Sequence, residues 1–155
     1  MALNNDLVSF EARIENILAR AREAGLDDEL RSALSRFACV LASGYVEEAV
    51  RTIVGAWCNA KAHPYIQAFV GRKLDRFLNP KVGKIQELLG EFGQGWAERF
   101  SAELSDEERD AINSIVSNRH LIAHGRNVGI SPVQVQAYFG ACMQAVRKLD
   151  AIVGA

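Results

Sequence analysis

The stretch Ser105-Asp106-Glu107-Glu108-Arg109-Asp110-Ala111-Ile112-Asn113-Ser114-Ile115-Val116-Ser117-Asn118-Arg119-His120-Leu121-Ile122-Ala123-His124-Gly125 carries both its own start and its own stop. Ser105 and Glu108 form a capping box: the serine oxygen takes the amide of the third helical residue, and the glutamate reaches back to the serine amide. Ile112, Ile115, Val116 and Leu121 recur at helical spacing, and Gly125 can enter the left-handed conformation without steric cost. The stretch therefore predicts one long helix that stops at Gly125. Its last turn, Asn118 to Gly125, is also the most chemically specific segment of the chain. Arginine stays charged and histidine titrates near neutral pH, so together they neutralise a phosphate and move protons around it.

The pattern extends outward in both directions. Downstream, Ser131-Pro132-Val133-Gln134 is a second capping box with proline at the first helical position. It predicts a last helix carrying Val135, Tyr138, Phe139, Cys142, Val146, Leu149 and Ile152. Upstream, glycines 71, 83, 90, 93 and 95 and Pro80 cut the chain into short helical pieces, expected over 65–78, 82–89 and 96–100. Before these, Asp27 or Asp28 opens a long helix through Leu30, Leu34, Phe37, Val40, Leu41, Val46, Val50, Ile53, Val54 and Trp57, broken at His63-Pro64 and expected to kink at Ser43-Gly44. A first helix with Leu7, Phe10, Ile14, Ile17 and Leu18 takes cap oxygens from Asn4 to Asp6 and ends at Gly25. No strand alternation or internal repeat is evident. The fold class expected is all-α: an antiparallel bundle of four to five main helices plus short helical pieces, forming a single domain over 1–155.

Composition narrows the function classes. At 155 residues and 49 % hydrophobic, the chain fits one domain with its own core. Cys39, Cys58 and Cys142 are odd in number, far apart and without a CxxC pair, which excludes a disulfide framework and leaves them as core residues. The N-terminus has no basic and apolar leader pattern, and no run approaches the ~20 apolar residues of a membrane span. The expectation is a cytoplasmic protein with no membrane contact. A net charge of −1 argues against a generic nucleic-acid binder. Charge is uneven, however: Lys61, Arg72, Lys73, Arg76, Lys81 and Lys84 face only Asp75 between Ala60 and Ile85, whereas eight acids outnumber Arg99 and Arg109 between Gln86 and Val116. Such a basic segment either attracts a polyanion or forms ordinary solvated helix faces.

An arginine, a polar residue, three more residues and a histidine on a late helix of a small all-α bundle resemble the HEPN superfamily, whose signature is an arginine and a histidine separated by four to six residues. Here the match is Arg119-His120-Leu121-Ile122-Ala123-His124, with His120 in the polar position after the arginine. The long second helix with Glu47 and Glu48, together with Arg-His-Leu-Ile-Ala-His-Gly, is most similar to the RiboL-PSP-HEPN branch. The resemblance implies a metal-independent endoribonuclease acting as a homodimer, in a toxin-antitoxin, phage-defence or RNA-processing context, with an antitoxin or regulatory protein as a further partner. Family members with a degraded motif bind nucleotides or proteins instead, and a catalytically silent binding module is the alternative reading.

The chemistry follows from the residues alone. RNA carries its own nucleophile, the 2′-hydroxyl, so cleavage needs a base for that proton, positive charge for the transition state and an acid for the departing 5′ oxygen. His124 fits the proton role, and Arg119 offers a planar fork to two phosphate oxygens. Arg119 and His124 stand five positions apart, about 140° around an ideal helix, so they do not share a face. A two-fold axis at this helix end would gather both copies in one cleft.

Each candidate also has a plainer role. Arg119 complements the helix dipole, and His124 beside Gly125 serves as a cap. His120 and His124 share a face at metal-ligand spacing, but the set lacks the glutamate of HExxH and needs His63 or a distant carboxylate as third ligand; no metal and no cofactor are expected. Asn118, Arg126 and Asn127 either bind RNA phosphates or satisfy the turn. Glu47 and Glu48 either orient the motif arginine from the long helix or are solvated. Lys61, Arg72, Lys73 and Arg76 are the candidate RNA-binding cations, and Trp57, Trp96 and Tyr65 either stack bases or pack in the core.

Overall fold

The structure is a computed structural model that describes residues 3–93 and 95–155. Helices α1 (Asn5–Ala21), α2 (Asp28–Lys61), α3 (Pro64–Asp75), α4 (Val82–Gly90), α5 (Trp96–Glu103), α6 (Asp106–Ala123) and α7 (Pro132–Gly154) follow in chain order. Among the described residues there is no strand. α2 is the axis of the bundle, packing against α1, α3, α6 and α7, while α4 and α5 pack on each other and reach α6 and α7. Short connections return α2 on α1 and α7 on α6, which gives the antiparallel arrangement expected from the sequence.

Local chemistry sets the helix ends. Asn4 accepts the amide of Asp6 at 2.8 Å and Asp27 that of Leu30 at 3.1 Å. Both capping boxes close: Ser105 and Glu108 exchange bonds of 2.8 and 3.1 Å, and Ser131 and Gln134 bonds of 3.0 and 3.2 Å. Each such cap stabilises its helix by ~1 kcal/mol. Glu108 also receives Lys148 of α7 at 2.7 Å, joining the two helices of the motif hairpin. Burial pushes the Glu108 carboxyl up, but the bonds from Lys148 and Ser105 outweigh it and hold the group below the ordinary carboxylate range.

Three expectations are corrected. α1 stops at Ala21 rather than running to Gly25, because the Arg31 guanidinium takes the Ala21 and Glu23 carbonyls at 3.1 Å and that of Leu26 at 3.3 Å. α2 runs unbroken through Ser43-Gly44; an added Cβ on Gly44 would meet the Phe10 ring at 3.8 Å, which is ordinary contact. Leu30 and Phe37, read as core, are exposed, and the face that packs there is Ser35, Ala38, Cys39 and Ala42.

The core centres on Tyr45, whose ring meets Phe139 edge-on at 5.4 Å and Phe10 at 5.9 Å. The Tyr45 hydroxyl donates to Glu11, which also takes two bonds from Arg147, at 2.6 and 2.8 Å. Burial raises the Glu11 carboxyl, yet the Arg147 and Tyr45 bonds and the Arg147 charge prevail and set it below its ordinary value. Burial and the Glu11 bond push the Tyr45 hydroxyl strongly up. All three cysteines are buried thiols, as the sequence suggested, and burial drives Cys39 and Cys142 up to about 12. Trp96 is buried against Trp57 and Phe92, with ring centroids at 4.8 and 5.3 Å, so it packs the α4–α5 corner instead of offering a face to bases.

Candidate active site

The motif occupies the end of α6, and the end is built by backbone geometry. His124 is the C-cap residue; Gly125 follows in the left-handed region at φ 69°, donating to Ile122 at 3.0 Å, and Arg126 donates to Leu121 at 3.0 Å. This pair of bonds is the Schellman arrangement. The imidazole of His124 takes no part in it. The ring instead meets that of His120 edge-on, centroids 4.3 Å apart, and both histidines are exposed.

Arg119 is held from a different direction. Its Nη1 donates to Asn79 Oδ1 at 3.4 Å. Asn79 lies in the turn between α3 and α4 and is left-handed at φ 55°, a region asparagine tolerates better than other residues with a Cβ. Its backbone amide donates to Glu47 Oε2 at 3.2 Å. Glu47 in turn pairs with Arg51 at 3.0 Å, and Arg51 donates to the carbonyls of Leu74 at 3.0 Å and Phe77 at 2.7 Å. Thus α2 closes the end of α3, fixes the turn and offers Asn79 to the motif arginine. Asn113 of α6 completes the frame by accepting the Val82 amide at 3.1 Å where α4 begins.

Asn79, Lys81, Ser117, His120 and Leu121 surround an open cleft of about 390 Å³ at this junction. Neither Arg119 nor His124 lines this cleft: Arg119 is linked to it by its bond to Asn79, and His124 by its ring contact with His120. Among the described residues no hydrogen bond or ring contact links Arg119 to His124 within the chain. Of the glutamates, Glu47 reaches Arg119 through Asn79. Glu48 turns toward Arg51, at 3.9 Å, and Thr52, at 3.5 Å, and lines a groove with Phe10 and Arg13 of α1, away from the motif.

Five of the remaining candidates fall in two places, and Lys61 and Asn118 lie elsewhere. Arg126 and Asn127 border a depression of about 310 Å³ with Arg36 and Ile122. Arg72, Lys73 and Arg76 border a larger cleft of about 480 Å³ between α3 and α4, joined there by Lys84, and Lys73 is paired with Glu91. Lys61 lies over the Trp57 ring at 5.6 Å. Asn118 is half-buried on α6. His63 caps α3, accepting the Tyr65 amide at 3.4 Å and stacking on the Tyr65 ring. Among the described residues no three His, Cys, Asp or Glu side chains are grouped to hold a metal ion. Asn79, Arg51, Asn113 and Arg36 were not singled out in the sequence; Pro80 marked a break between helical pieces and nothing more.

An all-helical bundle that presents R-x4-H at the exposed C-terminal end of its penultimate long helix has the form of a HEPN domain. The chain belongs to the RiboL-PSP-HEPN family, whose model matches residues 5–155. Membership places it among nuclease-type or related modules. No curated protein and no solved structure matches it. No helix among the described residues is long and apolar enough to cross a membrane.

Proposed function

We propose that this protein is a metal-independent endoribonuclease in which Arg119 and His124 are the catalytic residues. The observation that carries this reading is the Arg119 guanidinium bonded to Asn79 of an open cleft that His120 also lines, with the exposed His124 ring against that of His120. In the reaction a base removes the proton of the RNA 2′-hydroxyl, and the freed oxygen attacks the adjacent phosphorus. The bond from phosphorus to the 5′ oxygen breaks, and an acid protonates that leaving oxygen. Arg119 steadies the phosphate oxygens through its planar fork while charge accumulates on them. His124 handles a proton, and His120 supports it through their ring contact.

Base and acid must work on opposite sides of the phosphorus, and one chain supplies Arg119 and His124 without contact between them. A symmetric homodimer across the end of α6 resolves this, since His120, Leu121, Ala123, His124 and Arg126 are all exposed there. Two histidines then serve as base and acid in one composite cleft. The same lack of contact within the chain favours, as second reading, a silent module whose cleft holds a nucleotide or a partner such as an antitoxin. The toxin, phage-defence or RNA-processing context and a cytoplasmic location belong to the proposal.

The test is purified protein with mixed RNA in excess chelator, wild type against His124→Ala. The expected result is cleavage that survives the chelator, vanishes in the variant and leaves 2′,3′-cyclic phosphate and 5′-hydroxyl ends, because the attacking oxygen stays bonded to phosphorus. Strict dependence on added divalent metal, or equal cutting of DNA, overturns the mechanism. Nucleotide binding without cleavage establishes the silent module.

A further inference from the structure

α3 is unlike the other helices in what it exposes. It buries only Leu74, and Tyr65 and Phe69 are 82 % and 63 % exposed. At about 100° per residue, Tyr65, Phe69, Arg72 and Arg76 fall within about 60° of one another, so two aromatic rings and two guanidinium groups follow one line along a helix ~18 Å long. His63 stacks on Tyr65 with centroids at 5.2 Å and planes 29° apart, extending the aromatic shelf beyond the N-terminus of α3. Phe69, Arg72 and Arg76 also border the α3–α4 cleft of about 480 Å³, opposite Lys84. Leu78 lines that cleft and its chain neighbour Asn79 lines the motif cleft.

We propose that this face of α3 and the cleft behind it form a binding track for single-stranded RNA, leading over the Asn79 turn to the cleft that Asn79 and His120 line; the proposal rests on the reading of the chain as an RNA-cleaving protein. Charge complementarity selects the occupant. The cleft presents four cations against Glu87 and Glu91; Lys73 already pairs with Glu91, and Lys84 donates to the Leu78 carbonyl at 3.4 Å with two ammonium protons left, so Arg72, Arg76 and Lys84 can meet phosphates. The aromatics decide the form of the nucleic acid. Bases in a duplex hide their faces in the stack, whereas a single strand can lay them on Tyr65 and Phe69. Stacking tolerates any base, so the track binds RNA with weak sequence preference and leaves selection of the cut site to the cleft at Arg119.

The experiment measures binding of a short 2′-O-methyl single strand by fluorescence anisotropy. Methylation removes the nucleophile, so binding is read whether or not the protein cleaves RNA. Cleavage of unmodified RNA by wild type is scored in parallel. Tyr65→Ala/Phe69→Ala is expected to weaken binding at least about tenfold with unchanged helix content, because both rings are exposed and stacked bases lose their platform. Arg72→Gln/Arg76→Gln is expected to lower the slope of log affinity against log salt by about 1.4, two phosphates at ~0.7 each. A matched duplex should bind more weakly than the single strand. Wild-type affinity in both double variants, or no binding of the single strand by wild type, overturns the track. So does a Tyr65→Ala/Phe69→Ala protein that changes from dimer to monomer in sedimentation with RNA affinity intact, which would make the face an interface between copies. Aromatic-dependent binding without cleavage supports the track and removes the ribonuclease reading.

Discussion

Replacing Asn79 separates its two duties, shaping the turn and holding Arg119. Asn79→Ala keeps a Cβ at φ 55° but loses the side-chain tolerance of asparagine for that region, a cost of about 1–2 kcal/mol. It also deletes the 3.4 Å bond to Arg119, which is long and exposed and so contributes near the ~0.5 kcal/mol lower end of a net hydrogen bond. For a chain of this length the melting temperature should fall by about 3–10 °C. Asn79→Gly deletes the same bond, yet glycine adopts the left-handed region freely, and its greater freedom in the unfolded chain offsets part of that gain. Its stability should stay within ~0.5 kcal/mol of wild type. Under the ribonuclease proposal both variants release the guanidinium, so kcat/KM should fall about three- to tenfold in each, ~0.7–1.4 kcal/mol. Thermal melts followed by circular dichroism and initial cleavage rates on one RNA provide the assay. Equal melting temperatures for the two variants would refute the backbone argument. Full activity in the glycine variant would refute the tether.

Arg119→Lys should lower turnover at least about tenfold with an unchanged melting temperature, because a point charge cannot replace paired guanidinium contacts; equal activity would leave Arg119 a steering charge. His120→Asn should be milder than His124→Ala in the same assay. Activity per chain should fall as the proposed dimer dissociates in a dilution series followed by light scattering, and full activity from a demonstrated monomer would refute the shared cleft. Arg147→Met should cost about 2–3 kcal/mol at pH 7: breaking a buried pair costs ~3–5, discounted because Arg147 is 42 % exposed while Glu11 is 9 % exposed. Since the folded Glu11 carboxyl lies below its unfolded value of ~4.3, this stability is present above that pH and is lost as pH falls through the folded value. Urea unfolding of wild type and variant should therefore converge in acid, and a pH-independent difference would refute the assignment.

What the sequence made legible was local. Both capping boxes and the Gly125 stop are decided within a few residues, and each closes as its spacing implies. Arg119 and His124 were legible for the same reason, lying six residues end to end on one helix terminus. Contacts across the fold were not. Arg31 ends α1 from ten residues away, and Asn79 meets Arg119 from forty residues away. Leu30 and Phe37 kept the helical period of α2 and still lie outside the core, because the face that packs there is made of small residues to which apolar periodicity is blind. Glu47 and Glu48 are adjacent and chemically alike, but ~100° apart around α2, so only packing decides that Glu47 faces the α3–α4 turn and Glu48 faces α1.

The two motif residues are held unequally. Arg119 is the last member of a chain of bonds running from α3 through Arg51, Glu47 and Asn79, attached by one long, exposed bond to Asn79 at 3.4 Å. Under the ribonuclease proposal even this partial tether favours catalysis, because a preorganised charge needs less rearrangement when the transition state forms. Among the described residues the His124 ring makes a ring contact with His120 and no hydrogen bond, and it stands on a C-cap whose bonds all belong to the backbone. A group that moves protons must be oriented to within hydrogen-bond reach, and no described residue of this chain accepts or donates at the His124 imidazole. Under the ribonuclease proposal the missing orientation comes from outside the chain, from the RNA or from a second copy across the α6 end. The dilution series separates these two sources: orientation by RNA alone leaves activity per chain constant, whereas orientation by a partner copy makes it follow the dimer.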